Sequence, residues 1–420
     1  MADTSPPDKN TKTGRKRGGK SGKVADFRYK RSDQSGDKRT ARKGGPQGRA
    51  QKKQGRNAAG RNSPASNAPA GRKTHSHRPK EAYAALDLGT NNCRLLIARP
   101  SGKDFTVIDA FSRVVKLGEN LAESGRLSDE AMDRALGALS ICADKLRRRN
   151  VRLARSVATE ACRRASNGEA FIERVKNETG IVLDIISAEE EARLAVLGCH
   201  ILLEQNEGPA VIFDIGGGST ELVLLQPGGK IPEIIDWLSV PWGVVSLTDT
   251  VKLGENDAAG RTARYAKMRE VVSESFAPFG ERIADASKHP DISLLGTSGT
   301  VTTLASLHLE LPHYDRKAVD GLIVPSNSMR EICGRLSNMS AAERSTVPCI
   351  GNDRADLVVA GCAILESILD LWPSHCLGVA DRGIREGILR SLMAAERESE
   401  KAMQRLRPEP KKQAHSKASK

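Results

Sequence analysis

The apolar residues of this chain come first in strand-length runs and then at helical spacing, and that order repeats along the sequence. Residues 82–89, 93–99 and 105–115 are apolar runs parted by short polar turns, which predicts three successive strands. Ser128 then opens a helix to about Arg149, in which Met132, Leu136, Leu139 and Leu146 recur at helical spacing. Val151 to Ala158 reads as a strand, Asn167 to Thr179 as a helix stopped by Gly180, and Ile181 to Ile186 as a strand. Ser187-Ala-Glu-Glu190 has the spacing of a capping box and launches a helix from Glu189 to Leu203. After Gly208-Pro209 a new hairpin begins. Residues 293–305 read strand, turn and helix start, and 328–371 read as mostly helical. Cys376 to Ala380 is a short strand and Gly383 to Glu396 a final helix. Runs of strands followed by crossover helices predict an α/β chain whose mixed sheets are covered by helices.

Two of the predicted hairpins share one grammar. In Val211-Ile-Phe-Asp-Ile-Gly-Gly-Gly-Ser-Thr-Glu221 an apolar strand ends in an acid, turns through three glycines and a Ser-Thr pair, and resumes as an apolar strand. Ala82-Tyr-Ala-Ala-Leu-Asp-Leu-Gly-Thr-Asn-Asn-Cys-Arg-Leu-Leu-Ile-Ala98 does the same with one glycine. Glycine admits positive φ and close approach of a ligand to the main chain. Successive N–H groups in such a turn make a concavity for an anion. A lone Asp-x-Gly is ordinarily no more than a turn. Three adjacent glycines cost backbone entropy that a plain hairpin does not need. The two loops together point to a phosphate held between two related half-domains, with side-chain donors from Thr90, Asn91, Ser219 and Thr220. Asp87 and Asp214 would repel that phosphate unless a cation lay between them, and Mg²⁺ takes one or two carboxylates together with phosphate oxygens.

Charge sharpens the domain picture. The chain has 420 residues, room for two or three domains. Residues 1–80 carry 23 Lys and Arg against 5 Asp, and residues 401–420 carry 7 against 1. The whole chain carries 66 against 52, so the 320 residues between the tails are acidic, at 36 against 46. The first 80 residues hold few large apolar residues beyond Val24, Phe27 and Tyr29, too few to offset the entropy of ordering, which predicts a disordered basic tail. Such a tail attracts polyanions, nucleic acid among them, with salt-dependent affinity, and is equally readable as a merely solvated segment. It lacks the apolar core of a signal peptide and the amphipathic pattern of a transit peptide. No run is apolar for the length of a membrane span. The eight cysteines form no Cys-x-x-Cys pair and most sit in apolar segments, which suits a reduced, cytoplasmic chain with neither a zinc site nor a disulfide framework. His75 and His77 are too few to argue a metal site.

The chain resembles the Ppx/GppA family of exopolyphosphatases and guanosine pentaphosphate phosphohydrolases. The matching segments run from about Tyr83 to Leu392: Leu86-Asp-Leu-Gly-Thr-Asn91, Ala158-Thr-Glu-Ala-Cys-Arg163, Ile186-Ser-Ala-Glu-Glu-Glu-Ala-Arg-Leu194, Asp214-Ile-Gly-Gly-Gly-Ser-Thr-Glu221, Gly296-Thr-Ser-Gly-Thr300, Arg354-Ala-Asp356 and Arg385-Glu-Gly387. The resemblance implies two actin-like domains, of the ribonuclease H-like superfold shared by actin, Hsp70 and sugar kinases, with a cleft between them. It implies a first domain over 81–187, to which a helix over 383–398 returns, a second over 188–382, and basic tails over 1–80 and 399–420. Glu191 falls on the catalytic carboxylate that deprotonates water. Asp214 and Glu221, with Asp87, match acids that position metal and water, and Mg²⁺ or another divalent cation is the implied cofactor. Gly89, Thr90 and Asn91 match one phosphate loop; Gly216, Gly217, Gly218, Ser219 and Thr220 match the other. Arg163, and with it Arg94, matches basic residues that contact the phosphate chain. The implied substrates are polyphosphate and guanosine pentaphosphate, and the implied assembly is a homodimer. Glu160 departs from the pattern, because it puts a negative charge beside Arg163 at a spot that is often small or neutral in the family. The resemblance implies the short, two-domain form, without the C-terminal helical domain of longer members.

Physically the reading is coherent: phosphoryl transfer is largely positioning and charge stabilisation, and a carboxylate serves as base when neighbouring acids raise its pKa. From helix position alone Glu191 is only a first-turn acid favoured by the dipole. Two other readings stand beside it. One is a kinase or ATPase of the same superfold, with Gly296-Thr-Ser-Gly-Thr300 as a nucleotide-binding turn. The other is a regulator whose core senses polyphosphate or (p)ppGpp while the tail binds RNA.

Overall fold

The computed structural model describes residues 25–26 and 81–405, apart from 103, 204–206, 227, 229–230 and 253. The N-terminal tail, except for 25–26, and residues 406–420 lie outside the described residues, so the expectation of disorder there is not addressed. Two details of that expectation change. Residues 25–26 pair as a two-residue strand (β1, Ala25–Asp26), and the last helix, expected to stop at 398, continues to Arg405.

The first lobe is built from β2 (Ala82–Leu88), β3 (Asn92–Ser101), β4 (Asp104–Val114), the short α1 (Leu121–Ser124), α2 (Asp129–Arg148), β5 (Val151–Ala158), α3 (Glu160–Arg164), α4 (Gly168–Thr179) and β6 (Leu183–Ile185). Then α5 (Ala188–Cys199) leads into the second lobe: β7 (Ala210–Ile215), β8 (Thr220–Gln226), β9 (Glu233–Val240), α6 (Val244–Thr250), α7 (Ala258–Ile283), β10 (Ser293–Thr297), α8 (Gly299–His308), α9 (Arg316–Val319), β11 (Ile323–Pro325), α10 (Ser326–Asn338), α11 (Ala341–Ser345), α12 (Leu357–Leu371) and β12 (Cys376–Ala380). The final helix is α13 (Ile384–Arg405).

The two sheets repeat one topology. In the first, β4, β3 and β2 are antiparallel neighbours, β5 adds in parallel beside β2, and β6 adds in parallel beside β5. In the second, β9, β8 and β7 are antiparallel neighbours, β10 adds in parallel beside β7, and β12 adds in parallel beside β10. This duplication of an actin-like unit is the α/β fold that the two glycine hairpins announced. Most helix boundaries follow the periodic pattern, with Ser128 and Ser187 accepting the backbone N–H groups of Ala131 and Glu190. The run expected to be mostly helical over 328–371 divides into α10, α11 and α12, with an irregular stretch before Leu357.

Strand parity sorts the core. Ala82, Ala84, Leu86 and Leu88 point to the helices α2 and α4, while Tyr83 and Ala85 point to the opposite face, where α5 and α13 pack. In the second lobe Val211, Phe213 and Ile215 face the large helical core, and Ala210 and Ile212 face α5. Helix α5 therefore lies between the sheets, with Leu194 and Ala195 in one cluster and Ala192, Val196 and Cys199 in the other. It is held there by close contact with the α13 segment. A Cβ on Gly387 would come within 2.0 Å of the Leu194 carbonyl oxygen, and one on Gly198 within 2.0 Å of the Gly383 carbonyl oxygen. Only glycine allows that approach, and it fixes the height of the first turn of α5, which carries Glu191. The cysteines are free thiols, six of them buried, in keeping with their reading as small core residues.

Candidate active site

Both hairpins place a carboxylate at the same register. Asp87 at the end of β2 stands opposite Arg94 on β3, and Asp214 at the end of β7 stands opposite Glu221 on β8. Parity puts all four on the faces that look towards α5. A cleft between the lobes is lined by Asp87, Asp214, Glu191 and Glu221, by both turns, and by Glu160 and Arg354. The turns touch: a Cβ on Gly218 would sit 2.6 Å from Thr90 Oγ1 and 3.0 Å from Glu160 Cγ. Close approach is what requires glycine at 216, 217 and 218, whereas a Cβ on Gly89 would meet nothing nearer than 3.6 Å; none of the four has a positive φ.

Not every loop donor is available to an anion. The N–H of Gly89 donates to Asn92 O and that of Gly216 to Ser219 O, both at 2.9 Å, closing the turns themselves. The N–H groups of Thr90, Asn91, Gly217 and Gly218 make no such turn bond among the described residues. The Ser219 hydroxyl donates to Glu221 Oε1 at 2.7 Å, and that of Ser239 does so at 2.9 Å. Thr220 is fully buried, does not line the cleft, and its hydroxyl donates to Trp242 O at 2.6 Å.

The acids crowd one another in a low-dielectric setting. Burial, then Glu221, push Asp214 up to about 7, against the pull of Arg94. Burial raises Asp87, with Arg94 and Arg385 pulling the other way. Burial raises Glu221 in spite of its two hydroxyl donors. Burial, then Glu221, hold Glu191 well above the usual carboxylate range; Arg163 opposes, while Asp87 and Asp214 add to the rise. Glu190, next in sequence to Glu191, faces Arg155 and Arg193, both at 2.7 Å.

Among the described residues neither Asp87 nor Asp214 accepts a hydrogen bond or forms an ion pair. Two unpartnered carboxylates facing a phosphate cradle, Asp87 buried and Asp214 partly buried, suit a cation that takes one or two carboxylates and completes its shell with water and phosphate. The third expected ligand does not join them. No three of the described His, Cys, Asp and Glu side chains converge on one point, and Glu221 is already held by two hydroxyls.

Arg163 stands behind the cleft lining. It does not line the cleft. Its Nε and Nη2 donate to Glu160 Oε2 at 3.1 and 2.7 Å, its Nη1 and Nη2 to Glu191 Oε2 at 3.2 Å each, and its Nη1 to Ile186 O at 2.7 Å. It holds Glu191 rather than presenting itself to a ligand. The cation that the sequence reading left without a role is Arg354, which lines the cleft, bonds Thr303 Oγ1 at 3.1 Å and has no carboxylate partner among the described residues. Beside it the turn at Ser298 carries φ 139°, a strained conformation that places the start of α8 in the cleft wall.

Known proteins resemble this chain along most of its length. Residues 96–396 match the model of the Ppx/GppA phosphatase family. Exopolyphosphatase 2 of Mycobacterium tuberculosis (strain H37Rv) is 30% identical over 332 residues, which cover 74% of this chain and 98% of that protein. The crystal structure of the Aquifex aeolicus member of the Ppx/GppA family superposes with a TM-score of 0.63 at 30% identity, covering 76% of this chain and 99% of that one. The crystal structure of an exopolyphosphatase from Cytophaga hutchinsonii superposes with a TM-score of 0.66 at 24% identity over 75% of this chain and 98% of that one, a likeness of fold.

Proposed function

Because the chain belongs to the Ppx/GppA phosphatase family, we propose that it releases the terminal phosphate of inorganic polyphosphate, with Glu191 as the base that takes a proton from the attacking water. The observation that carries this reading is the setting of Glu191: on the cleft wall, pushed up by burial and then by Glu221, and oriented by Arg163. A base works best when its pKa lies near the working pH. The two hydrogen bonds from Arg163 favour the ionised carboxylate that the step requires.

The terminal phosphoryl group lies across the two loops, whose Thr90, Asn91, Gly217 and Gly218 N–H groups are left unbonded within the turns, while Arg94 and Arg354 balance its charge. Asp87 and Asp214 would hold a magnesium ion together with substrate oxygens, and that ion would neutralise charge developing on the phosphoryl group. Glu191 accepts a proton as the water oxygen bonds to phosphorus. The bridging P–O bond breaks, and a chain one phosphate shorter leaves with the electron pair. Glu221, fixed by Ser219 and Ser239, keeps Glu191 raised and positions the water.

The loops read only a terminal phosphoanhydride, so conversion of pppGpp to ppGpp belongs to the same proposal. The deciding experiment measures phosphate release from polyphosphates of several lengths and from pppGpp, side by side, with and without Mg²⁺. Release that needs Mg²⁺ supports the reading; no release from any phosphate chain overturns it. The division into 81–187 with 383–398, and 188–382, is proposed on the same ground. So are a homodimer and nucleic-acid binding by the basic tail. No helix among the described residues is long and apolar enough to cross a membrane.

A further inference from the structure

We propose that Glu160 sets how tightly this protein holds a phosphate chain, by occupying the donors of Arg163 that would otherwise reach it. The proposal rests on the reading of the cleft as a polyphosphate site. A guanidinium has five N–H donors in a fixed fork and no acceptor. In Arg163 the bonds number five as well: two to Glu160, two to Glu191 and one to Ile186 O. No N–H is left for a phosphate oxygen.

Glu160 stands between that arginine and the cleft. It occupies the first position of α3, lines the cleft itself, and packs its Cγ beside Gly218 of the second phosphate loop. An incoming chain therefore meets a carboxylate where a basic side chain lies just behind it. With Glu191 ionised, as the proposed step requires, Glu160, Arg163 and Glu191 together carry one net negative charge. Removing the Glu160 carboxylate makes that trio neutral and frees the N–H of Nε and one of Nη2, the two that point to Glu160. The three remaining bonds still hold Arg163 to Glu191 and Ile186.

A charge-assisted hydrogen bond is worth about ten-fold in affinity. The test is calorimetric binding of a methylene-bridged tripolyphosphate, which resists hydrolysis, to the full chain with Mg²⁺ at fixed ionic strength. Glu160→Ala is expected to bind it about ten-fold more tightly than wild type. Glu160→Gln is expected to fall between them, because its amide oxygen still accepts from Arg163, and its near-identical shape guards against a folding artefact. Glu160→Ala combined with Arg163→Gln is expected to bind no more tightly than Arg163→Gln alone. Unchanged affinity in Glu160→Ala overturns the proposal. So does a gain of the same size in the Arg163→Gln background, which would be simple removal of a charge. Phosphate release from polyphosphate by wild type is measured alongside. Its absence overturns the polyphosphate reading, whereas release with no gain on removing Glu160 overturns only the role of Glu160.

Discussion

Burial holds Asp214 far above the ordinary carboxylate range. Its carboxyl lies at about 7 in the folded chain against an ordinary 3.8, chiefly through burial and then through Glu221. A raised acid binds its proton in the folded state over a range where the unfolded chain has already lost it. Stability from this group is therefore present below the ordinary value and is lost as pH rises towards the folded one. For these two values, linkage gives a loss of about 2 kcal/mol between about pH 5.5 and about pH 8. Asp214→Asn removes the titration and also relieves Glu191, which feels Asp214 as a like charge. Urea unfolding in the presence of a chelator should show wild type losing about 2 kcal/mol relative to Asp214→Asn across that window. Added Mg²⁺ should restore wild type most strongly at the alkaline end, because the cation competes with the proton for the same oxygens. Parallel pH profiles for the two proteins in chelator would refute the claim that Asp214 is a strained, cation-seeking carboxylate.

Two further outcomes follow from the geometry. Arg354→Ala should raise KM for polyphosphate about ten-fold or more, with a smaller change in kcat, since its charge faces the cleft without a carboxylate partner; steady-state phosphate release checks this, and an unchanged KM would remove Arg354 from the binding surface. Gly387→Ala drives a methyl into the Leu194 carbonyl and should cost about 1–3 kcal/mol of stability. Because the same contact sets the height of α5, kcat should fall even at a temperature where the variant is fully folded.

How much of this was legible in the sequence depends on how far apart the interacting residues lie. The two phosphate loops were readable because each is a single contiguous hairpin whose acid, glycines and hydroxyls follow one another. Their duplication gave the fold. The register that sets Asp214 opposite Glu221 follows from a tight turn, but the Ser239 hydroxyl that steadies Glu221 comes from β9, whose pairing no local pattern announces. Glu191 stood out only through family resemblance, since a glutamate in a first helical turn is ordinary. The Glu160–Arg163 contact is a three-residue helical neighbour pair and was readable in principle. That the same guanidinium also clasps Glu191, 28 residues on, needs the packing of α3 against α5. Helix α7 went unread, its 26 residues interrupted by Pro278 and carrying a broad polar face. Arg354 sat in a matched segment but had no assigned role, because only the folded irregular stretch before α12 carries it to the cleft.

The central claim is that Glu191 takes the proton from water. Glu191→Gln keeps the shape and the hydrogen bonds available to Arg163 while removing the basic carboxylate. Phosphate release from polyphosphate with Mg²⁺, measured next to binding of the methylene-bridged analogue, should show kcat reduced by about 10²–10⁴-fold with affinity for the analogue retained. Turnover at the wild-type rate in Glu191→Gln would contradict the account.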